Sequence, residues 1–195
     1  MTYDRIVTSY QLGGSVETFY AMDQSTKDQW MVIGAQVSAG QSRVSESVLD
    51  MLRSLSNMVD GFAVDQLTHC LQTATRARLD GASTELVIAS LCHDVGKAIS
   101  VPNHAQIASE ILKPYVSPET YAVIRNHQDF QGRHYYHYFG GDPNMRENFR
   151  NESWFAEAER FADEWDQKSF DPTFETQPLE AFEDELRFVF ARSRH

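Results

Sequence analysis

The sequence predicts an all-α protein, a helical bundle with its chemistry in the core. Apolar residues recur at helical spacing through most of the chain, β-branched alternation is scarce, and helix start and stop signals bracket the periodic stretches. In "SRVSESVLDMLRSLSNM", Val44, Val48, Leu52 and Leu55 form one stripe. "VDQLTHCLQTATRARLDG" repeats the pattern with Val64, Leu67, Leu71 and Ala74, and Asp80-Gly81 ends it. "STELVIASLCHD" is short and nearly all apolar, so it reads as a buried helix. "NHAQIASEIL" offers Asn103 as an N-cap with Gln106 at capping-box distance. "SPETYAVIRNH" offers Ser117 as a cap with Pro118 at the first helical position. "NESWFAEAERFADEWDQ" and "PLEAFEDELRFVFAR" complete the helices. Residues 128–150 are the expected exception: an irregular loop, aromatic and basic, with a Gly-Gly-Asp-Pro turn. Long irregular loops in compact domains are more often functional than decorative.

A chain of 195 residues suits one domain, here 1–195, with residues 1–40 as an N-terminal extension. Its apolar fraction of 42% and charged fraction of 23% are those of an ordinary globular protein. No apolar run reaches the roughly 18 residues of a membrane span, and the N-terminus lacks the basic and apolar regions of a signal peptide. Two cysteines, Cys70 and Cys92, without a CxxC motif point to a reducing, cytoplasmic compartment. A net charge of -11 argues against a partner bound through a nucleic-acid backbone.

The chemistry lies in the histidines. His69, His93, His104 and His127 fall one per helical segment, Asp94 follows His93, and Asp166 lies near the end of another helix. Taken singly, each has an ordinary reading. On a helical wheel His69 sits away from the Leu67 and Leu71 stripe, which favours exposure. His127 could complement a helix dipole. His134 and His137 read as loop residues and His195 as terminal. The pattern carries the argument, because ligands from several helices converge only in the centre of a bundle, where helical proteins build metal sites. Imidazole and carboxylate suit iron, manganese and zinc. A carboxylate can bridge two metals, so Asp94 beside His93 suggests a two-metal site.

Lys97, one turn past His93, can point a cation at the same site. Arg133 could hold an oxyanion through two hydrogen bonds, and Arg160 lies on the Asp166 helix. Tyr135, Tyr136, Tyr138 and Phe139 form either a hydrophobic plug or the kind of aromatic cluster that holds quaternary ammonium groups.

The pattern His69, then His93-Asp94, resembles the HD-domain superfamily. His104 and His127, the "EWDQKSFDP" segment and the N-terminal "YDRIVTSYQLGGSVETF" narrow the resemblance to its mixed-valent diiron oxygenases. The stretch from about residue 3 to 172 is similar to myo-inositol oxygenase in part, and in its compact spacing to the phosphonate-cleaving oxygenases. The resemblance implies that His69, His93, Asp94 and Asp166 hold one iron, and that His104, His127 and bridging Asp94 hold the other. It implies catalytic roles for Asp94 and Lys97 and dioxygen as co-substrate. The implied substrate is a small hydroxyphosphonate made by an upstream hydroxylase, with no nucleic acid or membrane as partner. Asp163, one turn from Asp166, is the alternative last ligand; it stands where one such oxygenase has an arginine, which favours a cationic substrate tail. Val59 and Phe62 stand where that oxygenase has a tyrosine and a glutamate covering the iron. Any lid must then come from elsewhere, and the N-terminal extension with Tyr3, Tyr10 and Tyr20 is the candidate.

Overall fold

The computed structural model describes residues 18–40 and 42–193, so Tyr3, Tyr10 and His195 lie outside the described residues. All regular structure among the described residues is helical. The chain divides into two compact units, residues 1–44 and 45–194. The first contains a helix within the expected N-terminal extension, α1 (Lys27–Ala39). Thr26 caps it in a capping box with Gln29, and Trp30 donates its indole N–H to Ser25 Oγ at 2.7 Å. Tyr20 is fully exposed.

α2 (Ser42–Ser54) leads into the second unit, where Val48, Leu49, Leu52 and Leu55 are buried. There α3 (Gln66–Leu79) packs on α4 (Thr84–Cys92), and α5 (His104–Leu112) on α6 (Pro118–Gln131). α7 (Phe155–Arg160) runs into a π-helical turn, Phe161–Asp166, that packs against α3 and α6. α8 (Glu180–Phe190) covers α4.

α4 is the central helix: all seven residues from Leu86 to Cys92 are buried. Each fully buried Leu, Ile or Val contributes about 1.5–3 kcal/mol relative to exposure. Around it the sequence signals hold. Ser83 and Ser117 cap α4 and α6, Pro118 opens α6, and Gly81 with φ 76° follows the end of α3.

Three expectations change. Asn103 makes no side-chain cap, so the capping box with Gln106 is absent; a 3-10 turn, Val101–Asn103, leads into α5 instead. Residues 128–150 are not irregular throughout: α6 continues to Gln131, and three 3-10 turns (Gly132–His134, Tyr136–Phe139, Met145–Phe149) follow. His69, expected on an exposed face, is 1% exposed, because the second layer of helices covers α3 on more than its Leu stripe.

Candidate metal centre

α4 ends at Cys92, and this ending makes the site. Successive residues of a continuing helix point about 100° apart. Here Asp94 leaves helical geometry (φ -103°, ψ 3°), a backbone region in which active-site residues are often found. A 3-10 turn, Val95–Ala98, follows. Neighbours in sequence can therefore face one point.

Four imidazoles and two carboxylates meet there, all nearly inaccessible to solvent. His69 Nε2 and His93 Nε2 are 3.1 Å apart, and His69 Nε2 is 3.1 Å from Asp166 Oδ1. His104 Nε2 and His127 Nε2 are 3.2 Å apart. The two oxygens of Asp94 divide between these pairs. Oδ2 is 3.4 Å from both His69 and His93, whereas Oδ1 is 2.9 Å from His104 and 3.6 Å from His127. His69, His93 and Asp166 form one group able to hold a metal ion; His93, Asp94 and His127 form another.

Hydrogen bonding fixes how the rings point. Nδ1 of His93, His104 and His127 each faces the carbonyl three residues earlier, at 2.7, 2.7 and 2.8 Å. His69 Nδ1 faces the Ser169 carbonyl at 2.9 Å. A carbonyl only accepts, so each Nδ1 carries a proton and each ring, when neutral, turns an Nε2 lone pair inward. This is the arrangement typical of metal-ligating histidines. Two lone pairs face each other at each close Nε2 pair, an arrangement that needs a cation or proton between them. Asp94 Oδ1 and Asp166 Oδ2 are buried without a well-formed hydrogen bond; His104 has already committed its proton to Val101.

Electrostatics agree. Burial pushes the Asp94 carboxyl up, but His93, Lys97, His104 and His127 outweigh it and hold it well below the usual range. Burial also opposes a charge on His93, yet Asp94 and Asp166 raise it to about 10. For Asp166, burial is outweighed by His93 and His69. For His127, burial dominates and its basicity falls. The cluster thus attracts positive charge, and its inward-facing donors suit metal ions.

Gly96 brings the two halves together. A Cβ there would lie 2.3 Å from the His104 carbonyl oxygen and 2.8 Å from its Cα. Neither is the end of a flexible side chain, so Gly96→Ala must push the start of α5 away from Asp94. Overpacking of this kind costs about 1–3 kcal/mol. The expected result is a lowered melting temperature and loss of metal from the His104 and His127 side first, read by scanning calorimetry and elemental analysis.

The cluster opens on a cavity of about 720 Å³. Lys97, His104, His134 and Tyr135 line it, with amides of Gln66, Gln128, Gln131 and Gln167, aromatic Phe62, Phe139 and Phe170, and Asp60 and Val101. Lys97 Nζ donates to Asp94 Oδ2 at 2.6 Å and to Gln66 Oε1 at 2.8 Å. Gln131 donates to Asp166 Oδ1 at 3.0 Å. Both glutamines share a helix face with a histidine (Gln66 three residues before His69, Gln131 four after His127), a signal the sequence reading missed. Phe170 stacks on His69 with ring centres 4.2 Å apart, and Phe62 stacks on Phe170 at 4.6 Å.

Other expected substrate residues lie elsewhere. Asp163 is not on the cavity wall: Arg146 holds both its oxygens, at 3.0 and 3.1 Å, and His134 reaches it at 3.2 Å. The π turn explains the separation, since the Gln167 N–H bonds the Ala162 carbonyl five residues back. Residues three apart nearly share a face of an α-helix, but this wider turn sends Asp166 inward and Asp163 to the loop. Buried Arg146, from "NMRENF", had no sequence signal. Arg160 binds Asp80 at 2.8 Å and packs on Trp165, which removes it from the cavity wall. Arg133 is exposed and off the wall. Tyr136 packs under Gly132, its hydroxyl facing Asp129 at 3.4 Å. Of the four loop aromatics only Tyr135 and Phe139 reach the cavity.

The HD-domain family matches residues 67–168, just over half of the chain. No curated protein is similar enough to count as a match. No helix among the described residues is long and apolar enough to cross a membrane. The matched stretch runs through His69, the His93-Asp94 pair, His104, His127 and Asp166, and the chain belongs to the HD-domain family, whose members are generally metal-dependent enzymes.

Proposed function

We propose that the chain is a two-iron oxygenase that cleaves the C–P bond of a small 1-hydroxyphosphonate. The substrate proposed is (R)-1-hydroxy-2-(trimethylammonio)ethylphosphonate, converted to glycine betaine and phosphate. The observation carrying this reading is the division of the Asp94 oxygens between two histidine pairs, the geometry a bridging carboxylate needs. His69, His93, Asp94 and Asp166 would hold one iron, and Asp94, His104 and His127 the other. The second set has fewer protein donors, so substrate and dioxygen have positions to occupy; catalytic sites keep such positions open. A mixed-valent Fe(II)/Fe(III) pair supplies the redox chemistry that activates dioxygen.

The chain's own groups bind and orient. Lys97 holds positive charge beside Asp94, where a substrate hydroxyl or oxyanion would sit, and Gln66 fixes its direction. Gln131 fixes Asp166. Tyr135, a phenol kept protonated by burial, offers a hydrogen bond from the cavity wall. Among the described residues Lys97 is the one Lys or Arg on that wall. A single fixed cation suits a small substrate that neutralises part of its own charge, and suits a nucleotide with several phosphates poorly. A hydroxylated phosphonate requires an upstream hydroxylation, so this step would follow a hydroxylase.

The test is dioxygen uptake measured beside phosphate release, using iron-reconstituted protein with ascorbate and the trimethylammonium phosphonate. One phosphate per dioxygen consumed is expected. Phosphate released anaerobically from nucleotides or phosphate esters, with no oxygen uptake, would overturn the reading in favour of a metal-dependent phosphohydrolase.

A further inference from the structure

Asp60 is the one Asp or Glu among the residues lining the cavity within the described chain, and Lys97 lines the same cavity with opposite charge. The local backbone explains why an aspartate is tolerated. Asp60 and Gly61 have φ of 49° and 87°, and the Phe62 N–H bonds the Val59 carbonyl at 2.9 Å. Two successive left-handed residues make a turn that favours Asn-Gly or Asp-Gly. Asparagine serves such a turn at least as well, so the turn alone does not account for the charge. Asp60 is exposed, so its carboxylate is reachable from solvent and from the cavity. The turn is also anchored. Phe62 is stacked on Phe170 and, through it, on His69, so the turn that carries Asp60 is tied to the metal cluster.

We propose that Asp60 is a specificity-determining residue that selects substrates with a cationic tail. Lys97 would take the acidic end near the metals, and Asp60, with Phe62 and Phe170 beside it, the ammonium end. This inference rests on the functional reading above for the identity of the acidic end, and on the cavity alone for the cationic one. An isolated charge at a partly open site contributes modestly, on the order of a tenfold difference in affinity, and screening by salt diminishes it.

The experiment is anaerobic calorimetry of the iron-loaded full chain with two ligands of the same shape. One is the trimethylammonium hydroxyphosphonate; the other is its neutral tert-butyl analogue. The unsubstituted protein should bind the cation about tenfold more tightly, and 1 M salt should shrink the difference. Asp60→Asn keeps the turn and removes the charge. It should weaken the cationic ligand about tenfold, leave the neutral one unchanged and leave the melting temperature in place. An unchanged preference in Asp60→Asn would overturn the proposal. If neither phosphonate binds, the functional reading falls, and choline against 3,3-dimethylbutan-1-ol then tests Asp60 alone. A choline preference that Asp60→Asn removes would support it; equal binding would overturn it.

Discussion

Asp94→Ala should yield a chain that holds neither metal firmly and turns over at least about 10³-fold more slowly. Loss of an outer-shell partner typically costs 10–100-fold, and Asp94 contributes an oxygen to each half of the cluster. The variant should also be less stable without metal. Lys97 and a protonated His93 would lose the anion that compensates them, and breaking a buried pair from one side costs about 3–5 kcal/mol. Asp94→Asn separates the two effects, because it keeps the side chain's volume and removes only its charge. Metal content by elemental analysis, thermal denaturation and single-turnover rates provide the readouts. Full turnover with two metals bound in either variant would refute the bridging role.

His127→Ala should act on one half only. The His69, His93 and Asp166 group is untouched, so on the proposed two-metal reading one metal per chain should remain instead of two. The second position would retain only His104 and one oxygen of Asp94. Activity should fall by at least about 100-fold, and the melting temperature should drop, because a buried ring and a bound ion are both lost. Under the two-iron reading proposed above, iron-loaded His127→Ala should lack the magnetic coupling, visible by electron paramagnetic resonance, that an iron pair gives. His69→Ala should instead disturb the other half and the Phe170 stack above it. Equal loss of both metals in His127→Ala would mean that the cluster holds its ions as an indivisible unit rather than as two overlapping sets.

Much of this site was legible without coordinates. The helices were readable because each must bury an apolar stripe, and that requirement leaves a period in the sequence. The histidines and Asp94 were readable because one metal-ligating group per helix is improbable without a shared centre. The Asp80-Gly81 stop and the Ser117-Pro118 start were readable because they are local backbone chemistry.

What the sequence by itself determined was therefore the all-α class, the family pattern and the candidate ligands. Tertiary structure alone decided which groups face the cavity. The π turn sends Asp166 inward and gives Asp163 to Arg146. Arg160 is drawn to Asp80, a partner 80 residues away. His69 is buried because helices distant in sequence cover a face that its own helix leaves open. The physical reason is common to these cases. Periodicity and capping depend on residues within a few positions of one another, whereas a side chain's final partner is set by whichever charge or ring the fold brings beside it.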